Sequence, residues 1–375
     1  MKLLRLMALL VACSLAMSAC GGDDGGSGGG ATGGSGSSGQ ASVPAPPTTP
    51  PDEVQVTQPV SKAIPQGKDV IFLQCELPSC GRYGPAFKSA SQALGWNAEI
   101  ISFKNSAPAA GLEQAVAKKP DYIAISGIPA AALKAPLAKA RAANIPVISA
   151  ATPEEPSNDS WAAQVGGTLV PDAENIGKWI INDSGGDASV VAVTIPQFPV
   201  LNGETDWFKD EFTNMCSGCK YDQLDVTIEE VGAGSVPQKL TGYLQAHPDV
   251  NYVFFTFADL GKAIGPALER SGLRDKVKLT GCCGDAAVAQ EIAKGDTDAW
   301  TIAPNEYSAY VMVDAMARLA AGENISTDYE DKVYGSPSWV VQSANAVEEF
   351  LKPTHFDWHG PTGFEDQFKQ LWNAG

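Results

Sequence analysis

Residues 122–148 read YIAISGIPAAALKAPLAKARAANIPVI, and their rhythm decides the fold. Tyr122–Ser126 is a short apolar run of the kind found in strands buried on both faces. Apolar residues then recur at helical spacing from Ala130 to Ala143, and Asn144 suits the helix end, where a left-handed cap is common. Pro146-Val147-Ile148 opens a second buried run. Strand, helix and strand in one short stretch form a βαβ unit, which requires a parallel sheet covered on both faces.

The same alternation extends outward. Upstream, strands are expected at residues 70–73 and 98–103, with helices near 84–94 and 110–118. Downstream, strands are expected at 162–166, 189–194, 225–230, 252–257, 277–281 and 298–302. Helices fall between them, at 172–182, 203–215, 238–246, 261–270 and 286–294, and then at 307–320. About 300 residues of such alternation exceed one open sheet of usual size. The reading is α/β, with two doubly wound parallel-sheet lobes joined by hinge crossovers. Ligands of such sheets bind beyond the carboxyl ends of the strands, so the cleft between the lobes is the expected site.

Composition narrows the function. Of 375 residues, 44% are hydrophobic and 18% charged, enough apolar material for two cores. The net charge of −17 leaves no basic footprint for nucleic acid or anionic headgroups. His247, His355 and His359 are the three histidines, too few for a His-based active site or a His-rich metal centre. His355 and His359 have i,i+4 spacing but lack the Glu of a zincin, and Gly360-Pro361 marks a loop. No cofactor, metal or catalytic residue is expected.

The first twenty residues, MKLLRLMALLVACSLAMSAC, form an address. Lys2 and Arg5 precede an apolar run too short to span a bilayer comfortably, and small residues lead to Cys20. The segment resembles a bacterial lipobox, which implies cleavage before Cys20 and a lipid on its thiol. Residues 21–40 contain eleven glycines, and residues 41–51 are rich in proline. Residues 21–65 are therefore expected to be a tether, flexible and then stiffer, reaching roughly 35 Å for forty coil residues.

The body resembles the type I periplasmic solute-binding proteins, in the ribose-binding-like cluster that serves ABC importers. Lys119-Pro120-Asp121-Tyr122-Ile123-Ala124-Ile125-Ser126, with Pro129, has the shape of the family's third strand. Ala143-Asn144-Ile145-Pro146-Val147-Ile148 is close to its Gly-Ile-Pro-Val-Ile motif. His247-Pro248-Asp249-Val250 and Ala263-Ile264-Gly265 match the second lobe. The likeness spans about residues 66–342. It implies a first lobe of 66–163 plus 304–328, and a second of 164–303 plus 329–375, with a helix at 365–372 packed on the second.

Carried over by position, the resemblance implies a ligand site. Gln74 and Glu76 would offer polar contacts after the first strand, and Tyr83 a flat face. Ala151 and Thr152 stand where the sugar binders have an Asp-Arg pair. Asn202 replaces an Arg, Asp259 an Asn and Cys283 an Asp. Pro304 replaces a hinge-side Gln, with Asn305 and Glu306 adjacent. Most of the charges that fix sugar hydroxyls are thus absent, and Tyr83, Phe198, Trp207 and Phe257 leave a more aromatic site. The alternative for Trp207 and Phe257 is that they are core residues of an amphipathic helix and a buried strand. The expected contacts are Gln74, Glu76, Tyr83, Thr152, Phe198, Asn202, Phe257, Asp259, Cys283 and Asn305.

Export makes disulfides the default for three close cysteine pairs: Cys75 with Cys80, Cys216 with Cys219, and Cys282 with Cys283. The last would be a vicinal bridge forming a stiff platform under the ligand; the alternative is two partly buried free thiols. Cys216-Ser217-Gly218-Cys219 follows a helix, not the helix N-terminus a redox motif needs. A four-Cys zinc site from 216, 219, 282 and 283 lacks a second C-x-x-C.

The expected function is that of a lipid-anchored, monomeric substrate-binding protein on the outside of a bacterial cytoplasmic membrane. It would capture a small solute, sugar-like or less polar, by hinge closure and present it to an ABC permease. One alternative is a ligand sensor reporting to a membrane receptor kinase. A surface enzyme is another, with Glu76, Asp259 and Glu306 its only cleft carboxylates.

Overall fold

β1 (Asp69–Cys75) shows how the first lobe is built. Val70 and Phe72 enter one apolar layer, Ile71 and Leu73 the opposite one, and all four are buried. Side chains alternate across a strand, so covering both faces makes the sequence an unbroken apolar run. In the computed structural model, the described residues are 43–152, 157, 159–166, 169–302, 304–325, 338–342 and 360–374. The expected leader, Cys20, the Gly-rich stretch through residue 40 and the His355–His359 motif lie outside them.

β2 (Asn97–Phe103), β3 (Tyr122–Ser126), β4 (Val147–Ala150) and β5 (Ala163–Val165) complete a parallel sheet in the order β2-β1-β3-β4-β5. Ile123 lies beside Val147, as the βαβ reading requires. α1 (Tyr83–Ala93) covers one face; α2 (Pro108–Ala117) and α3 (Lys134–Ala142) cover the other.

The second sheet has the order β11-β10-β9-β8-β6-β7. It comprises β6 (Ser189–Thr194), β7 (Lys220–Asp225), β8 (Tyr252–Phe255), β9 (Lys278–Gly284), β10 (Ala299–Ile302) and β11 (Val340–Val341), with β11 alone antiparallel. α4 (Val170–Ser184), α5 (Asn202–Trp207) and α6 (Thr213–Met215) belong to one side, the last two joined by a π-helical turn. α7 (Ile228–Gly232), α8 (Val236–Ala246), α9 (Ala258–Gly261), α10 (Ile264–Ser271) and α11 (Ala286–Lys294) follow the remaining strands. The chain crosses from β5 to α4, from β10 to α12 (Asn305–Ala320), and again before β11, since α12 packs on α1 in the first lobe.

Three expectations are corrected. The strand expected at 225–230 lies at 220–225 instead, as β7, and Thr227-Ile228-Glu229-Glu230 is a capping box that starts α7. The Thr227 hydroxyl accepts from Glu230 N at 3.2 Å, and Thr227 N donates to the Glu230 carboxylate at 2.8 Å. The two bonds satisfy backbone groups that a helix start leaves open.

The C-terminal helix α13 (Phe364–Leu371) packs on the first lobe, not the second. Phe364, Phe368 and Trp372 repeat every four residues and so share one face. They meet Tyr307 and Tyr310 of α12, with Trp372 stacked on Tyr310 at 5.9 Å.

Residues 43–65 are not wholly a free tether either. Val43 packs against the second lobe's core, and Pro47 O accepts from Val340 N of β11. Val54, Val56 and Val60 are buried in the first lobe's core. Val60 N donates to Leu371 O, and Arg318 donates to Gln58 O. The prolines fix an extended path without internal hydrogen bonds, which leaves valine side chains and carbonyls to bind the body.

Candidate ligand-binding site

Loops leaving the carboxyl ends of β1, β2, β3 and β4 face those leaving β6, β8 and β9, and together they enclose a cavity of about 170 Å³. A Cys75–Cys80 disulfide ties the loop after β1, which brings Leu77 and Ser79 to the wall. Tyr83, at the start of α1, adds its ring. Its hydroxyl is bonded to the Ser126 side chain, and burial pushes its pKa up to about 12, so it stays a neutral phenol. The second lobe contributes Phe198, Phe257 and Cys283, while Asn305 and Asp172 come from helices that follow crossovers.

Cys283 reaches the wall through a β-bulge. Trp300 pairs with Gly281 and Ile302 with Gly284, so β9 carries one residue more than β10 between them. Cys283 sits there in the left-handed region, φ 61°, and its N–H donates to the Thr301 hydroxyl. Bulges re-aim side chains in this way, and left-handed backbone at a non-glycine residue is a strain kept mainly at functional sites. Cys282, fully buried behind it, donates to Thr256 O at 2.8 Å.

Two of the three expected bridges are present, Cys75–Cys80 and Cys216–Cys219. The third is not: Cys282 and Cys283 are free thiols, their sulfurs 2.7 Å apart. The electrostatics favour the thiol form. Burial pushes the Cys282 pKa well up, helped by the hydrogen bond with Cys283. For Cys283 that bond favours the thiolate, but burial and the Asp172 and Glu204 carboxyls outweigh it and raise its pKa to about 11.

Beneath the cavity lie two carboxyls. Asp172 is 6% exposed; burial raises its pKa to about 6, against hydrogen bonds from Thr301 and Ser338 that favour the charged form. Ser338 Oγ donates at 2.7 Å. Glu204 has no exposed surface and no hydrogen-bond partner on either oxygen among the described residues. Burial therefore pushes its pKa well above the ordinary carboxylate range.

Of the ten expected contacts, Tyr83, Phe198, Phe257, Cys283 and Asn305 line the cavity. Gln74 does not. Its side chain turns towards α1, where its Oε1 would lie 2.6 Å from a Cβ at Gly84. Glu76 is exposed on the rim and accepts from Asn105 N. Thr152 is buried against Ser149, with its hydroxyl 2.8 Å away, while Ala151 takes the wall. Asn202 is exposed at the start of α5. Asp259 stands outside the wall, accepting from Ser79 Oγ at 2.9 Å and paired with Lys262. Trp207 packs against the second lobe's core, its ring lying where a side chain at Gly177 would be.

Among the wall residues that the sequence reading did not single out are Ser79, Asn105 and Asp172. Asn105 follows the carboxyl end of β2, so the rule that ligand loops leave strand ends pointed there. Asp172 lies on a helix after a crossover, where that rule is silent.

The sequence profile described as Periplasmic binding protein domain matches residues 81–324. The chain belongs to this family of periplasmic binding proteins. Membership agrees with reading it as a binding protein and not an enzyme. Solved structures share the fold of this periplasmic binding protein at low identity. A glucose-galactose binding protein from Geobacillus stearothermophilus is 19% identical, covers 74% of this chain and 98% of its own, and has a TM-score of 0.65. An ABC transporter solute binding protein from Agrobacterium vitis with bound allitol is 17% identical over 76% and 98%, TM-score 0.65. A 5-methylthioribose transporter solute binding protein from Thermotoga lettingae TMO is 15% identical over 84% and 99%, TM-score 0.65. No curated protein sequence matches the chain.

Proposed function

We propose that the chain is the solute-binding component of an ABC importer. Cys20 would hold it by a lipid at the outer face of a bacterial cytoplasmic membrane, and it would act as a monomer. The observation that carries this reading is the cavity, walled from both lobes at the carboxyl ends of their strands. Tyr83, Phe198, Phe257, Cys283 and Asn305 are the proposed ligand contacts among the expected residues. Allitol, glucose-galactose and 5-methylthioribose in the names of structural neighbours favour a sugar-like solute. The largely apolar wall favours one with few hydroxyls, because aromatic faces suit a ring's CH surface and unpaired buried polar groups are costly.

Thermal unfolding against sugars, polyols, nucleosides and cyclic alcohols tests this. A ligand at 100 times its dissociation constant adds roughly 2.7 kcal/mol to the bound state, a rise of a few degrees for a chain this long. A rise with one ring-shaped class supports the reading, and Phe257→Ala should then weaken binding about tenfold, the upper range for one aromatic contact. Silence from every ring compound would overturn it. Mass analysis of the N-terminal peptide from membranes tests the anchor: a diacylglycerol on Cys20 is expected, and an unmodified residue removes it.

A further inference from the structure

The cavity wall is asymmetric in charge. Among the described residues lining it, Asp172 is the one charged side chain, and no Lys, Arg or His faces the space. Acceptors stand on both sides of the space. Asn105 Oδ1, on the opposite lobe, is buried without a hydrogen-bond partner. The Asn305 amide donates to Ser79 O at 3.1 Å and carries an oxygen that can accept. The Ser79 and Ser308 hydroxyls donate to Asp259 and to Pro304 O. Tyr83, Phe198 and Phe257 add ring faces, whose negative quadrupoles attract cations. Behind Asp172 stands Glu204, with Cys282 and Cys283 beside them, so no basic group neutralises this end of the cavity.

An anion entering such a site would lose its hydration, face the Asp172 carboxyl and meet no cationic donor, at a cost of several kcal/mol. A neutral ring would leave Asp172 without a charged partner. A protonated amine on an apolar or ring-shaped body would satisfy Asp172, could reach acceptors on the other lobe and would rest on the aromatic rings. The protein's net charge of −17 also draws cations towards it.

We propose that the cavity selects amine-bearing, cationic ring solutes over their neutral counterparts and refuses carboxylate ones, with Asp172 as the residue that decides charge. This rests on the solute-binding reading above and names the ligand's charge class within it.

The test uses matched triplets on two skeletons: glucose, glucosamine and glucuronate; cyclohexanol, cyclohexylamine and cyclohexanecarboxylate. Binding to the purified full chain is measured by calorimetry at pH 7.5 and low salt. On whichever skeleton binds, the amine is expected to bind at least tenfold more tightly than the neutral member, and the acid not at all. Asp172→Asn should abolish the amine's advantage over the neutral member. The wild-type order stands as a test even if that variant is unstable. Neutral members binding as well as amines, or an acid binding best, overturns the charge assignment and leaves the solute-binding reading intact. If all six are silent, the charge assignment and the ring-solute reading both fall.

Discussion

Asp172 joins three parts of the chain that lie apart in sequence. It stands on α4 after the first crossover, Thr301 on β10 before the second, and Ser338 just ahead of β11 after the third. One carboxyl thus ties the hinge segments together. Its burial has a consequence for stability. As pH rises through about 4 the unfolded chain loses this proton, while the folded chain holds it until about 6. The unfolded state then binds fewer protons, so stability falls over that interval, by roughly 3 kcal/mol for this group alone. Glu204 is shifted the same way and extends the fall to higher pH. Urea midpoints should therefore drop between pH 4.5 and 7.5, and Asp172→Asn should flatten the drop; an unchanged slope in the variant would assign it elsewhere. The cysteines give a second residue-scale prediction. Denatured without reductant, the mature chain, with the Cys20 thiol taken by the lipid, should yield two reactive thiols, from Cys282 and Cys283, and none from the other two pairs in the body. Six would mean the bridges are absent, and none that the vicinal pair is oxidised.

At the scale of elements, α12 organises the first lobe. Asp314, with no exposed surface, accepts from Arg318 Nε at 2.7 Å and from the Trp372 indole at 2.8 Å. Arg318 also reaches Glu323 and Gln58 O. This buried pair fixes both the N-terminal strap and α13 onto one helix. Trp372→Ala should cost about 3–5 kcal/mol, because a large ring leaves the core. Trp372→Phe should cost less, since a ring remains and the chief loss is the bond to Asp314. Equal losses in denaturant unfolding would show that the hydrogen bond, not the packing, holds α13. These contacts mark where the sequence stopped being legible. β1 and the 122–148 unit could be read because burial on both faces leaves an unbroken apolar run. α13 could be read as a helix, but its partner could not, since an apolar stripe says that something covers it and not what. The strap at 43–65 was hidden by its prolines, which signal extension without showing that valines between them are buried. In the site, the aromatics and Cys283 were found from positions at strand ends. Gln74 and Thr152 were not excluded, because which way a strand-end side chain turns depends on packing against Gly84 and Ser149.

At the scale of the whole molecule, the lobes are joined by more than their crossovers. Ser79, on the disulfide-tied loop of the first lobe, donates to Asp259 of the second, and its carbonyl accepts from Asn305 beside the second crossover. The strap adds a further connection, with Val43 and Pro47 on one lobe and Val54 on the other. A two-lobed receptor holds its ligand for as long as the lobes stay together, so contacts across the mouth should act on release more than on capture. The Ser79–Asp259 bond is the simplest one to remove. Ser79→Ala deletes it and leaves the Ser79 carbonyl in place for Asn305. A net loss of about 1 kcal/mol is expected for one such bond, which corresponds to a dissociation rate about fivefold faster. The association rate and the melting temperature without ligand should change little, because Asp259 keeps Lys262 as its partner. Stopped-flow displacement of a bound solute measures both rates. A slower association with unchanged release would mean that this contact shapes the open entrance instead of holding the lobes together, and the disulfide-tied loop would then be part of the gate by which the solute enters.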